Sequence, residues 1–256
     1  MFSNRFALRV GGAFLVMGTI LGAWEMWRSH FSERALIEHA LQRSVIVKTA
    51  LNDGNMSRGS GVDIGLGYVL TNHHVVGESP KSVTVDGAPA IIVDGGSDPP
   101  DLALLYVPER KQLPPLKLAL DPRQGDHIVF SMHARLYDGL LSMNAILFGT
   151  IADIQNGKDP RSYGSGEPDD VPEDIPGLEW LLLDIRIAGG GSGGGVYRGR
   201  RLAGVGSMKF YDHHGDDVLT GAISARTIES FLQKNGWREI CEGASLGGFS
   251  RRRRAL

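Results

Sequence analysis

Several things are scarce in this sequence, and each scarcity narrows the reading. Of 256 residues only one is a cysteine, Cys241, so no intrachain disulfide can brace the fold. That thiol reads as a small filler near the C-terminal end rather than a reactive group. The 27 lysines and arginines are balanced by 29 aspartates and glutamates, for a formal net charge of −2. No surplus of positive charge exists to draw nucleic acid, and no nucleic-acid partner is expected. No Cys-x-x-Cys or His-x-x-Glu-His pattern is present. The histidine pairs His73-His74 and His213-His214 are poor metal ligands, because adjacent side chains diverge. No metal and no cofactor is therefore expected, and His213 to Asp217 reads as a hairpin tip. Helical patterns that alternate with strands are also missing, which excludes a parallel α/β architecture.

What is there, from Ser44 onward, is a series of short apolar runs broken by Gly, Asp, Asn and Pro. Ser44 to Ala50, Ser60 to Ile64, Gly67 to Thr71, Ser82 to Val85, Ala90 to Val93 and Leu102 to Val107 predict strands. His127 to Ser131, Ala145 to Ile154, Trp180 to Asp184, Gly194 to Tyr197, Arg201 to Ser207 and Val218 to Ile223 continue the series. About a dozen short strands with turn signals between them fit two packed β-barrels. Ser224 to Lys234 predicts a closing helix with Ile228, Phe231 and Leu232 as its apolar stripe, ended by Asn235-Gly236. Gln155 to Gly177, rich in Gly, Pro, Asp and Glu, has the composition of a long solvated surface loop.

The N-terminal 28 residues read differently. Val10 to Trp24 carries no charge and is apolar on every face, with Arg5 and Arg9 before it. This predicts an uncleaved signal anchor in preference to a cleaved signal peptide, since Leu21-Gly22-Ala23 is a poor cleavage site. The positive flank keeps the N-terminus in the cytoplasm and places the rest of the chain outside it, in the periplasm for a bacterial protein. Residues 29–43 predict a linker helix capped by Ser32, residues 44–236 the folded domain and residues 237–256 a tail that includes Arg251 to Arg254. The tail reads as solvated, with contact to anionic lipid as the alternative.

Three motifs carry the chemistry. Gly190-Gly191-Ser192-Gly193-Gly194 frames a serine with glycines, so a tight turn can expose its hydroxyl beside converging backbone N–H groups. Upstream lie Thr71-Asn72-His73-His74-Val75-Val76 and Asp101-Leu102-Ala103-Leu104. Asp98 competes with Asp101, but Asp98-Pro99-Pro100 reads as a turn whereas Asp101 opens an apolar strand. On a strand-like course, alternation would point His73 and His74 opposite ways. The chain order His, Asp, Ser is that of the chymotrypsin-type protease.

These segments together resemble the trypsin-like serine protease family, most closely its HtrA/Deg branch, over roughly Ser44 to Leu232. The resemblance implies a chymotrypsin-like all-β fold of two six-stranded antiparallel β-barrels and a C-terminal helix; the roughly 22 residues after that helix are too few for the PDZ domain many members of the branch carry, so none is expected. It implies His74 as general base, Asp101 as its orienting acid and Ser192 as nucleophile, with the N–H groups of Gly190 and Ser192 as oxyanion hole. Ser207 occupies a position usually held by serine, and Ser207-Met208-Lys209 would be the edge strand that pairs with substrate backbone. Arg186, six residues before Ser192, falls near the side-chain pocket of such enzymes and is either a pocket residue that favours acidic side chains or an outward-facing strand residue. A single cysteine suits a bacterial-type member, because extracellular animal relatives are rich in disulfides.

Two positions depart from the family pattern. Gly191 stands where Asn or Asp is usual, and Gly195 where Pro is usual. A loop of glycines around one serine loses more backbone entropy on ordering, so ordering on substrate binding is expected of it. The expected function is a membrane-tethered serine endopeptidase acting on unfolded or extended polypeptide, with a homo-oligomer left open. An inactive binding or sensor module on the same fold, and an esterase with the same triad, are the alternatives.

Overall fold

The computed structural model describes residues 32–96, 99–136, 141–157, 175–211, 214 and 216–237. The chain divides into two units, Met1–His39 and Ala40–Leu256. The expected anchor, Asp98, most of the acidic loop, His213, Cys241 and the arginine tail lie outside the described residues. Helix α1 covers 32–43, and Ser32 is already helical rather than its cap. Among the described residues no helix is long and apolar enough to cross a membrane.

The larger unit contains two closed antiparallel barrels of six strands each. The first is built from β1 (Ser44–Leu51), β2 (Met56–Gly65), β3 (Tyr68–Thr71), β4 (Pro80–Val85), β5 (Ala88–Asp94) and β6 (Ala103–Tyr106), in the order β1-β2-β3-β6-β5-β4. The second holds β7 (His127–Leu136), β8 (Leu141–Asn156), β9 (Glu179–Leu183), β10 (Gly195–Arg198), β11 (Arg201–Tyr211) and β12 (Asp217–Ser224), in the order β10-β11-β12-β9-β8-β7. Each strand expected from the apolar runs is present. Several run further than their apolar stretch, because ladder pairing continues across residues such as Met56 and Tyr211 that are exposed. β8 in particular takes in Gln155 and Asn156, which the sequence assigned to the loop, by pairing them with Trp180 and Glu179.

Each barrel has its own core, as strand alternation requires. Val45, Val47, Val69, Val83, Val85 and Leu105 fill the first. Phe130, Ile151, Leu181, Leu183, Val196 and Ala222 fill the second. Closure leaves neither barrel with an exposed edge along its full length. Without disulfides, buried polar ties take over some of the bracing. Arg43 donates to the carbonyls of Asp63 (2.9 Å) and Pro114 (2.9 Å), and Arg110 Nε meets the buried Asp63 carboxylate at 2.5 Å. Helix α3 (Ala225–Lys234) ends the fold, with the Ser224 side chain accepting from the Thr227 N–H and Asn235 Nδ2 donating to Asp94 Oδ2 (2.8 Å) at the end of β5.

Candidate active site

The histidine segment leaves β3 through Asn72. The Asn72 carbonyl accepts from the N–H groups of Val75 (3.2 Å) and Val76 (3.4 Å), which closes one turn of helix, α2, over His73–Val76. This corrects the strand-like course expected there. The two imidazoles still diverge, since successive helical residues lie on different faces. His73 Nδ1 donates to the Gly95 carbonyl (2.8 Å), whereas His74 turns to Asp101. Asn72 is fully buried, and its side-chain amide donates to the Asp101 carbonyl (2.8 Å). The histidine turn and the aspartate segment are thereby pinned to each other just before β6.

His74 Nδ1 lies 2.7 Å from Asp101 Oδ2, and the His74 backbone N–H donates to Oδ1 at 3.0 Å. The Ser207 hydroxyl donates to Oδ2 at 2.6 Å. Asp101 is 1 % exposed. Burial works against its charge, but the hydrogen bonds from His74 and Ser207 and the attraction of His74 outweigh it and hold the carboxyl below the ordinary aspartate range. An ionised carboxylate only accepts, so in the neutral imidazole the His74 proton sits on Nδ1 and Nε2 keeps a free lone pair. The imidazole itself is about half exposed, at 49 % of its side chain, so that lone pair belongs to a ring open to solvent.

The serine loop joins β9 to β10. Gly190 and Gly193 have φ of 84° and 86°, in the left-handed region that glycine enters without penalty. Within the loop the Gly191 N–H donates to Ala188 (3.1 Å), that of Gly193 to Gly206 (2.8 Å) and that of Gly194 to Gly191 (2.9 Å). Between Gly190 and Gly194, the N–H groups with no acceptor among the described residues are those of Gly190 and Ser192. These are the two assigned to an oxyanion hole from the sequence. The Ser192 hydroxyl donates to the Ser207 carbonyl at 3.1 Å and has no bond to His74, so proton transfer to the imidazole requires it to turn away from that carbonyl.

At both departures from the family pattern a Cβ would meet a close neighbour. A Cβ on Gly191 would lie 2.8 Å from Met132 Sδ and 3.1 Å from the Ala188 carbonyl oxygen. A Cβ on Gly195 would lie 2.7 Å from the Tyr197 ring. The buried Met132 and Tyr197 occupy the room that side chains at 191 and 195 would need.

Beside the loop, β11 pairs with β10 only as far as Val205, while Met208 and Lys209 continue to pair with Gly221 and Thr220 of β12. Among the described residues no strand covers the other edge of Ser207 to Lys209. Met208 and Lys209 are half-buried, and Lys209 Nζ is held by Asp217 Oδ2 at 2.6 Å. Arg186 is exposed between the buried Ile185 and Ile187, and among the described residues it makes no hydrogen bond or ion pair. It lies beyond the end of β9, outside any strand, and its assignment to a substrate pocket rests on its place in the sequence alone.

Sequence reasoning gave no role to Asn72 or to Ser60. Ser60 lies in β2, fully buried, against the serine loop. A signal for it exists in Gly59-Ser60-Gly61, because glycine inside a strand marks close approach of another backbone. A Cβ on Gly59 would lie 2.9 Å from the Ser192 carbonyl oxygen.

A family profile described as "Trypsin-like peptidase domain" matches residues 59–205, more than half of the chain. Among solved structures, the active form of the Rv3671c protease from M. tuberculosis superposes with a TM-score of 0.61 at 23 % identity, covering 78 % of this chain and 84 % of that one. Its inactive form gives 0.59 at 22 % identity, covering 80 % and 95 %. The HtrA-type protease AlgW with a tripeptide gives 0.59 at 24 % identity, covering 77 % of this chain and 61 % of that one. At such identities the likeness is one of fold. No curated protein sequence matches the chain.

Proposed function

We propose that this chain, which belongs to the trypsin-like peptidase family and is a serine endopeptidase, cleaves extended polypeptide through Ser192, His74 and Asp101. The observation that carries the reading is the chain of contacts from the Ser207 hydroxyl through the buried Asp101 carboxylate to His74 Nδ1, at 2.6 and 2.7 Å. Ser192 attacks the scissile carbonyl, and His74 Nε2 takes its proton and then returns it to the leaving amine. Asp101 keeps the imidazole in the required tautomer and stabilises the imidazolium. The N–H groups of Gly190 and Ser192 receive the oxyanion. Substrate backbone adds as a strand along Ser207 to Lys209, so main-chain bonds supply affinity with little dependence on sequence. The charge-free segment Val10 to Trp24 supports a membrane tether with the protease domain outside the cytoplasm.

An active-site fluorophosphonate tests the mechanism. It should label the wild-type protein and leave Ser192→Ala unlabelled. That variant should fold normally and retain on the order of 10³–10⁴-fold acceleration over water. Equal labelling of the two proteins would remove Ser192 from its role. Hydrolysis of unfolded proteins in preference to simple esters is expected of an endopeptidase, and the reverse preference would identify an esterase.

A further inference from the structure

We infer that Ser60 is a positioning residue for the oxyanion hole, acting across the barrel interface on the glycine loop. The inference rests on the reading of Ser192 as nucleophile. Ser60 sits on β2 of the first barrel and is fully buried. Its three polar groups make four hydrogen bonds, all at the loop or beside it. The hydroxyl donates to the Gly190 carbonyl at 2.7 Å and accepts from the His133 N–H of β7 at 2.8 Å. The backbone N–H donates to the Ser192 carbonyl at 2.7 Å. The carbonyl accepts from Thr71 Oγ1 at 2.7 Å, just upstream of the histidine turn. One residue thus grips the serine loop at Gly190 and at Ser192, the two residues whose N–H groups are left for an oxyanion.

The need for such a grip follows from composition. Gly189, Gly190 and Gly191 carry no Cβ, so rotation of the peptides around them meets little steric resistance. If the peptide between Gly189 and Gly190 rotates, the Gly190 N–H leaves the hole. Holding the Gly190 carbonyl fixes the neighbouring peptide plane and restricts that rotation. The Ser60 backbone bond alone leaves Gly190 free, so the hydroxyl is the part that matters. The contact is also close: a Cβ on Gly193 would fall 1.9 Å from the Ser60 carbonyl oxygen. Ser60 makes no hydrogen bond to His74 or Asp101, and acts through the loop.

Ser60→Ala tests this. Its kcat should fall roughly 10- to 100-fold, less than or equal to the loss on removing an oxyanion donor outright, with KM changed little. Fluorophosphonate labelling should slow in parallel, while the shape of the pH–rate profile stays that of wild type. Gly189→Ala should then recover part of kcat in the double variant. Position 189 has open space for a Cβ and does not require a left-handed backbone, and the substitution narrows the loop's freedom. If Ser60→Ala is too unstable to isolate, Ser60→Cys, which keeps a weaker donor, is measured in its place by the same readouts. Wild-type kcat in the Ser60 variant would overturn the proposal, as would a loss that Gly189→Ala does not reduce. Absence of labelling in wild type would instead overturn the assignment of Ser192.

Discussion

At the scale of single residues, Asp101 has the most to lose from a change. Its charge is buried, and hydrogen bonds from His74 and Ser207 stabilise it. Because its folded carboxyl titrates below its unfolded value, it contributes stability above the unfolded aspartate pKa of about 3.9. That contribution disappears as pH falls through the lower, folded value. Asp101→Asn should therefore be less stable than wild type by a constant margin between about pH 5 and 7, and the margin should shrink below about pH 4. Chemical denaturation at several pH values checks it. A margin that widens toward acid would reverse the assigned direction. The same variant should lose on the order of 10⁴-fold in kcat through the wrong imidazole tautomer.

At the scale of elements, the serine loop is shaped from outside. Met132 on β7 stands under Gly191, Tyr197 on β10 stands over Gly195, and Ser60 on β2 grips Gly190. At positions 191 and 195 these neighbours leave little room for a side chain. Restoring the residue common in the family, Gly191→Asn, should accordingly lower activity, because its Cβ would press on Met132 and on the Ala188 carbonyl. Overpacking of this kind costs about 1–3 kcal/mol. The prediction is a lower melting temperature together with slower phosphonate labelling. Activity equal to or above wild type would show that Met132 yields.

At the scale of the whole molecule, the site exists only where the two barrels meet. His74 and Asp101 come from the first barrel, and Ser192 and Ser207 from the second. The Ser207–Asp101 bond and the Ser60–Gly190 bond cross between them. On the proposed membrane tether, the segment Val10 to Trp24 would set where this assembly works. Reporters fused after Ser32 should register outside the cytoplasm, and N-terminal sequencing of the mature protein should find the segment Val10 to Trp24 retained. A cytoplasmic signal would refute the topology, and a chain beginning near Trp24 would mean a cleaved, released enzyme.

The strand series, the closing helix and the motifs around His74, Asp101 and Ser192 were legible in the amino-acid order, because alternation, turn residues and glycine framing are local properties. The choice of His74 over His73 came from the resemblance, and the strand-like course expected there is replaced by a one-turn helix: the Asn72 carbonyl closes that turn through backbone bonds which side-chain patterning does not encode. Strand ends were read short, since ladder pairing extends as far as the partner strand does and not only as far as the apolar run. The parts invisible in the sequence are those that depend on residues far apart in the chain. Ser60 and Gly190 are separated by 130 positions, and Ser207 and Asp101 by 106. No local pattern specifies that a hydroxyl in one barrel meets a carbonyl in the other. Barrel closure and docking bring them together, and only then do their hydrogen bonds select a single arrangement of the glycine loop.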